Sequence, residues 1–96
     1  MKCIAYRPSA AGHRVGFADI EMPSGIIVRD CGYHVAESTG RRWVIPPARP
    51  VLDDDRRLAM RNGRPDYAPV IDFRDANVRR RWSDAAVCAI EEYLSS

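Results

Sequence analysis

Fourteen arginines against a single lysine, Lys2, set the chemistry open to this chain of 96 residues. A guanidinium group is a planar fork that pairs bidentately with phosphate or carboxylate, so a cluster of arginines marks where an anion could be held. Arg79, Arg80 and Arg81 form one run with Arg74 close before it, while Arg41, Arg42 and Arg49 form a second, looser group. The run falls in what reads as the first turn of a helix, where the macrodipole disfavours basic side chains by roughly a few tenths of a kcal/mol each. Exposed amides and guanidinium groups there would suit a phosphate. Neutralisation of the run by Asp72, Asp75 and Asp84 is the competing reading, and a GC-rich coding bias is the bland explanation for arginine over lysine.

Other chemistry is thinner. Asp30, Cys31 and His34 are the only trio suited to nucleophilic catalysis, but in a strand Asp30 and His34 share one face while Cys31 points to the other. No catalytic residues, and no enzyme, are expected. Cys3, Cys31 and Cys88 are odd in number and form no C-x-x-C pair, which suits small buried thiols in a reducing compartment. A zinc site from Cys31, His34 and a distant third ligand lacks the usual spacing, so neither metal nor cofactor is expected. The consecutive Asp53, Asp54 and Asp55 read as a solvated acidic turn beside Arg56 and Arg57, because adjacent carboxylates do not converge on one ion.

The elements that must position these groups read as strands first and a helix last. Gly25 to Arg49 is the organising stretch, a hairpin whose first strand carries Ile26 and Val28 in one phase and Ile27, Cys31, Tyr33 and Val35 in the other. Both faces of that strand therefore ask for cover. Glu37 to Gly40 supplies the turn, and Trp43 to Ile45 the return strand, which ends there or continues as an edge because Pro46, Pro47 and Pro50 cannot donate. Before the hairpin come a strand from Cys3 to Tyr6, stopped at Pro8, and a second from His13 to Glu21 with Val15, Phe17 and Asp19 opposite Gly16, Ala18 and Ile20. Residues 51–66 form a charged excursion, in which Asp53 could cap a short helix bearing Leu58 and Met60. A fifth strand follows from Tyr67 to Phe73. Asp75 or Asn77 then caps an amphipathic helix with Val78, Trp82, Ala86, Ala89, Ile90 and Tyr93 in its stripe, where Trp82 reads as a core anchor.

This order predicts one α+β domain over residues 1–96, an antiparallel sheet of four to five strands followed by one C-terminal helix. A domain this small buries only about 60 to 65% of its unfolded surface, so a homodimer is expected. The formal charge of +2 does not by itself argue for nucleic acid. No segment reads as a signal peptide or membrane span, and a cytoplasmic location is expected.

The chain resembles the bacterial stage V sporulation protein G, or septation regulator, family. The apolar run followed by V-x-D in that family's third strand is matched by Ile26-Ile27-Val28-Arg29-Asp30, and its aromatic-V-x-x-P-x-basic run by Trp43-Val44-Ile45-Pro46-Pro47-Ala48-Arg49. A helix opening with R-x-x-apolar-x-x-A is repeated by Arg79, Trp82 and Ala85, and its Glu-Tyr close by Glu92-Tyr93. The resemblance implies a sheet-paired dimer that binds nucleic acid in gene regulation and cell division, with Arg49, Arg79, Arg80 and Arg81 at the family's binding positions. Arg74, Arg41 and Arg42 extend that basic set, and Tyr33 and Trp43 are the candidates for stacking on unpaired bases. Residues 51–66 depart from the family, being longer and more acidic than its tight connection, and could shield the basic surface. The competing function is a protein-interaction or assembly module with no nucleic-acid role.

Overall fold

The computed structural model describes residues 1–96. Strands β1 (Lys2–Ala11), β2 (Arg14–Glu21), β3 (Ile27–Ala36) and β4 (Arg41–Ile45) form one antiparallel sheet in the order β1-β2-β3-β4, and the helix α1 (Ala76–Ser95) packs across it. The fold is thus α+β with a four-stranded sheet. The expected fifth strand does not join it: only Tyr67–Pro69 is extended, and it pairs with Ala48–Pro50 in a separate ribbon. Pro46 and Pro47 explain this, since without N–H groups they cannot carry the β3–β4 ladder past Ile45. The first strand, by contrast, runs through Pro8 to Ala11, which an edge strand tolerates.

A β-bulge resets the phase of β3. Ala18 pairs with Cys31 and Ile20 with Val28, so Arg29 and Asp30 supply one residue more than β2 does between these partners. Asp30 takes a φ of 59°, the left-handed conformation that aspartate tolerates better than most residues. Val28, Cys31 and Tyr33 consequently all lie under the helix, each 5% exposed or less, while Ile26 is 62% and Ile27 42% exposed. The expectation that both faces of this strand need cover is corrected here: strict alternation placed Val28 opposite Cys31, and the bulge brings them together.

Asp75 caps α1, its carboxylate accepting from the Val78 N–H at 2.9 Å. Trp82, Ala86, Ala89 and Ile90 are buried as their spacing predicts, and Ser83 and Val87 join them, whereas Val78 is half-buried and Tyr93 exposed. They meet Cys3, Ala18, Ile20, Val28, Cys31, Tyr33 and Val44 from the sheet in one core. Trp82 anchors it, with its ring 5.5 Å from that of Phe73 and its indole N–H donating to Met22 Sδ at 3.3 Å. Ser83 does a different job. Its hydroxyl accepts the Val44 N–H at 2.8 Å, closing part of the β4 edge to another strand.

Gly16 leaves room for Tyr6, whose ring crosses it to meet Tyr33 edge-on at 6.4 Å; a Cβ at position 16 would collide with the Tyr6 phenol and the Arg7 carbonyl. Gly16→Ala is therefore expected to lower stability by about 1–3 kcal/mol, read as a fall in the urea midpoint at unchanged slope.

Residues 48–69 form an arm of their own. Strands β5 (Ala48–Pro50) and β8 (Tyr67–Pro69) pair as a stem, β6 (Met60–Arg61) and β7 (Arg64–Pro65) make a hairpin about Asn62-Gly63, and Leu52 bridges Leu58 across a second turn. Asp53 caps no helix here. Its carboxylate accepts from the N–H groups of Asp55 and Arg57, tightening that turn. The radius of gyration, 14.6 Å, exceeds the ~12–13 Å of a compact chain of this length, in keeping with an arm that stands away from the core. No helix is long and apolar enough to cross a membrane.

Candidate nucleic-acid interface

The Ser83–Val44 bond fixes where the arginines fall. With Ser83 pinned to β4, Arg79 lies one helical turn before it, and Arg80 follows on the same side as the strand. A groove of about 460 Å³ results, lined by Arg41, Arg42, Arg79 and Arg80, with Trp43, Val44, Ala76, Ser83 and Asp84 among its other walls. Arg42 pairs with Glu91 at 3.2 Å, and Arg80 donates to the Asn77 side-chain oxygen at 2.7 Å. Arg41, Arg79 and Arg80 form no ion pair.

The structure thus gathers four of the seven expected arginines. Arg81 is exposed outside the groove, Arg74 pairs with the capping Asp75 at 3.3 Å, and Arg49 belongs to the stem of the arm. Two expectations are corrected. The helix begins at Ala76, so Arg79, Arg80 and Arg81 are its fourth to sixth residues and not its first turn, and the Asp75 carboxylate already takes an amide that an anion would use. Neutralisation is partial: Asp75 pairs with Arg74, but Asp72 only accepts from the Phe73 N–H, and Asp84, in the groove wall, forms no ion pair. Nor does the charged excursion shield the groove, to which residues 51–66 contribute nothing.

The sheet face away from the helix carries the aromatic groups. Trp43 lies directly across from His34, and their rings stack at 5.4 Å and 15°, with His13 edge-on to Trp43 at 5.8 Å. The Arg41 guanidinium sits 5.4 Å from the Trp43 ring centre and that of Arg14 4.4 Å from Phe17. Gly32 makes room for the His34 ring, which a Cβ would crowd, and its carbonyl lies 3.1 Å from His34 Nδ1. Burial holds the His34 pKa below the usual histidine value, and Arg14 and His13 push the same way against the Gly32 carbonyl. The stack is accordingly neutral at pH 7. Of the two stacking candidates, Trp43 lies at this surface, whereas Tyr33 is 4% exposed in the core beneath the helix, with no free ring face for a base.

The Asp30, Cys31 and His34 trio does not converge. Cys31 is fully buried on the helix side, burial pushing its thiol up to about 12, while His34 lies on the other face and Asp30 binds Arg7. The same separation prevents Cys31 and His34 from sharing a zinc ion. Sequence reading missed Ser83, which positions the groove, and His13 and Arg14, which complete the aromatic face; the phase of Val15 and Phe17 was the available signal for that face. Comparison with protein-family models, with curated proteins and with solved structures finds no match.

Proposed function

We propose that this chain is a small nucleic-acid-binding regulator that grips phosphates in the groove between β4 and the first half of α1. The observation that carries this reading is the convergence of Arg41, Arg42, Arg79 and Arg80 on one groove with only Arg42 paired to a carboxylate. Unpaired guanidinium groups held side by side repel one another, and a phosphate backbone relieves that repulsion with bidentate contacts. Trp43, stiffened from one side by His34, offers a base a contact next to those phosphates. The resemblance to the septation regulator family, read from the order of strands and helix, points the same way. The near-neutral charge of +2 favours the alternative, a protein-interaction module, and pull-down from nuclease-treated lysate separates the two.

The decisive experiment is fluorescence anisotropy with labelled single- and double-stranded DNA and RNA across a salt series. Arg79→Ala/Arg80→Ala is expected to weaken binding about 10- to 100-fold and to flatten the logarithmic salt slope by about 2, one unit per lost phosphate contact. Arg81→Ala, outside the groove, serves as the control. A folded wild-type protein that binds no nucleic acid at low salt sinks this reading.

A further inference from the structure

The arm is organised by three residues that bond to one another. The Val51 N–H donates to the Asp66 carbonyl at 2.9 Å, the Asp66 N–H to the Ala59 carbonyl at 2.8 Å, and the Ala59 N–H to the Val51 carbonyl at 2.8 Å. Each turns both its N–H and its C=O inward, as a residue within a strand does, and three two-stranded leaves radiate from this closed ring. Side chains two apart along a strand share a face, and so do cross-strand partners. Pro50 pairs with Tyr67, Leu52 with Leu58 and Met60 with Pro65; Pro50–Leu52, Leu58–Met60 and Pro65–Tyr67 are each two apart. These six apolar residues therefore close a circuit on one face of the trefoil. All six are exposed, Leu52, Leu58, Met60 and Tyr67 by 50 to 59%.

No residue from Pro47 to Arg81 is buried. Ordering an arm of this length is entropically costly, and hydrogen bonds alone offset little of that in water. The face needs a cover, and we infer that the cover is the same face of a second copy of this chain, the two trefoils packing about a two-fold axis. Six side chains at about half exposure offer on the order of 500–600 Å² per copy, at the upper end of the largest apolar patch a monomer carries, where such patches are often functional, and, doubled, near the lower bound of specific interfaces. The rim matches itself as well. One leaf ends in Asp53 to Arg57, with three aspartates and two arginines, the other in Arg61 and Arg64, and none of these side chains has an ion-pair partner within the chain. A two-fold axis that sets the acidic tip of one copy against the basic tip of the other satisfies both contacts at once.

This inference is independent of the phosphate groove and is tested by sedimentation equilibrium of the full chain from about 1 to 100 µM, without nucleic acid. Wild type is expected to dimerise, and Leu58→Asp/Met60→Asp to weaken the dimer at least ~100-fold with the helical circular dichroism signal of α1 unchanged. Two charge variants guard against misfolding as the cause. Asp54→Arg/Asp55→Arg makes both tips basic and Arg61→Asp/Arg64→Asp makes both acidic; each alone is expected to be monomeric, and their mixture to form a heterodimer. A monomeric wild type, a dimer indifferent to Leu58→Asp/Met60→Asp, or a mixture that does not associate overturns the inference, and a wild-type monomer leaves the face to another partner.

Discussion

Trp82→Ala is expected to cost about 3–5 kcal/mol of stability, enough to leave the chain largely unfolded at 25 °C if its stability is near the lower end for small domains. The side chain is 9% exposed and links three elements: it packs on Phe73 ahead of the helix, reaches Met22 at the turn before β3, and belongs to the core shared by sheet and helix. Only 17 of the 96 residues are buried, so there is little else to absorb the cavity. Ser83 sits beside Trp82, and loss of its 2.8 Å bond to Val44 would follow when the helix lifts. Urea denaturation followed by circular dichroism gives the measurement, with Trp82→Phe, which keeps most of the packing, expected to lose less than half as much. A loss under about 1 kcal/mol would mean that the helix is held by something other than this anchor.

The helix and its stripe were legible because a period of 3.6 is sustained over four turns and a capping aspartate precedes it; Trp82, Ala86, Ala89 and Ile90 came out as their spacing predicts. Strand order was legible for a similar reason, each strand being bounded by glycine, proline or polar turn residues. The bulge at Arg29 and Asp30 was not, because a single inserted residue leaves no trace in composition while inverting the phase of everything after it. The groove was half legible. The sequence names the arginines, but which of them meet depends on the rotation of the helix over β4, set by the buried stripe together with the tertiary bond from Ser83. The arm was misread as a helix cap followed by loop because its leaves are too short for any window to register. Its apolar alternation at Pro50 and Leu52, Leu58 and Met60, and Pro65 and Tyr67 is interrupted by two turns, and only the backbone ring of Val51, Ala59 and Asp66 makes it continuous.

Asp19→Ala is expected to cost about 2–4 kcal/mol, and Asp19→Asn only about 1, because the two substitutions remove different things. The Asp19 side chain is 6% exposed on the open sheet face, where it accepts the Asp30 N–H at 3.1 Å and pairs with Arg29 at 3.0 Å and Arg7 at 3.6 Å. Arginines this exposed, 65% and 48%, remain hydrated, so each ion pair contributes under about 1 kcal/mol. The bond to Asp30 matters more, since it holds the bulge and the left-handed backbone at that residue. Asparagine keeps that acceptor and alanine orphans the N–H. Burial alone would raise the Asp19 pKa, but the Asp30 N–H, Arg7 and Arg29 outweigh it and hold the carboxyl below its ordinary 3.8. The unfolded chain therefore binds more protons at acid pH, and the carboxylate's contribution, complete above about pH 5, is lost as pH falls through the lowered folded value. His34 behaves in the same sense over a higher window: its folded pKa lies below 6.5, so stability declines as pH drops below that value. Wild type should then lose stability in two separate steps on acidification. In Asp19→Asn the acidic step shrinks and the histidine step stays, and a profile in which the acidic step survived the substitution would show that Asp19 is not the carboxylate that supports the bulge.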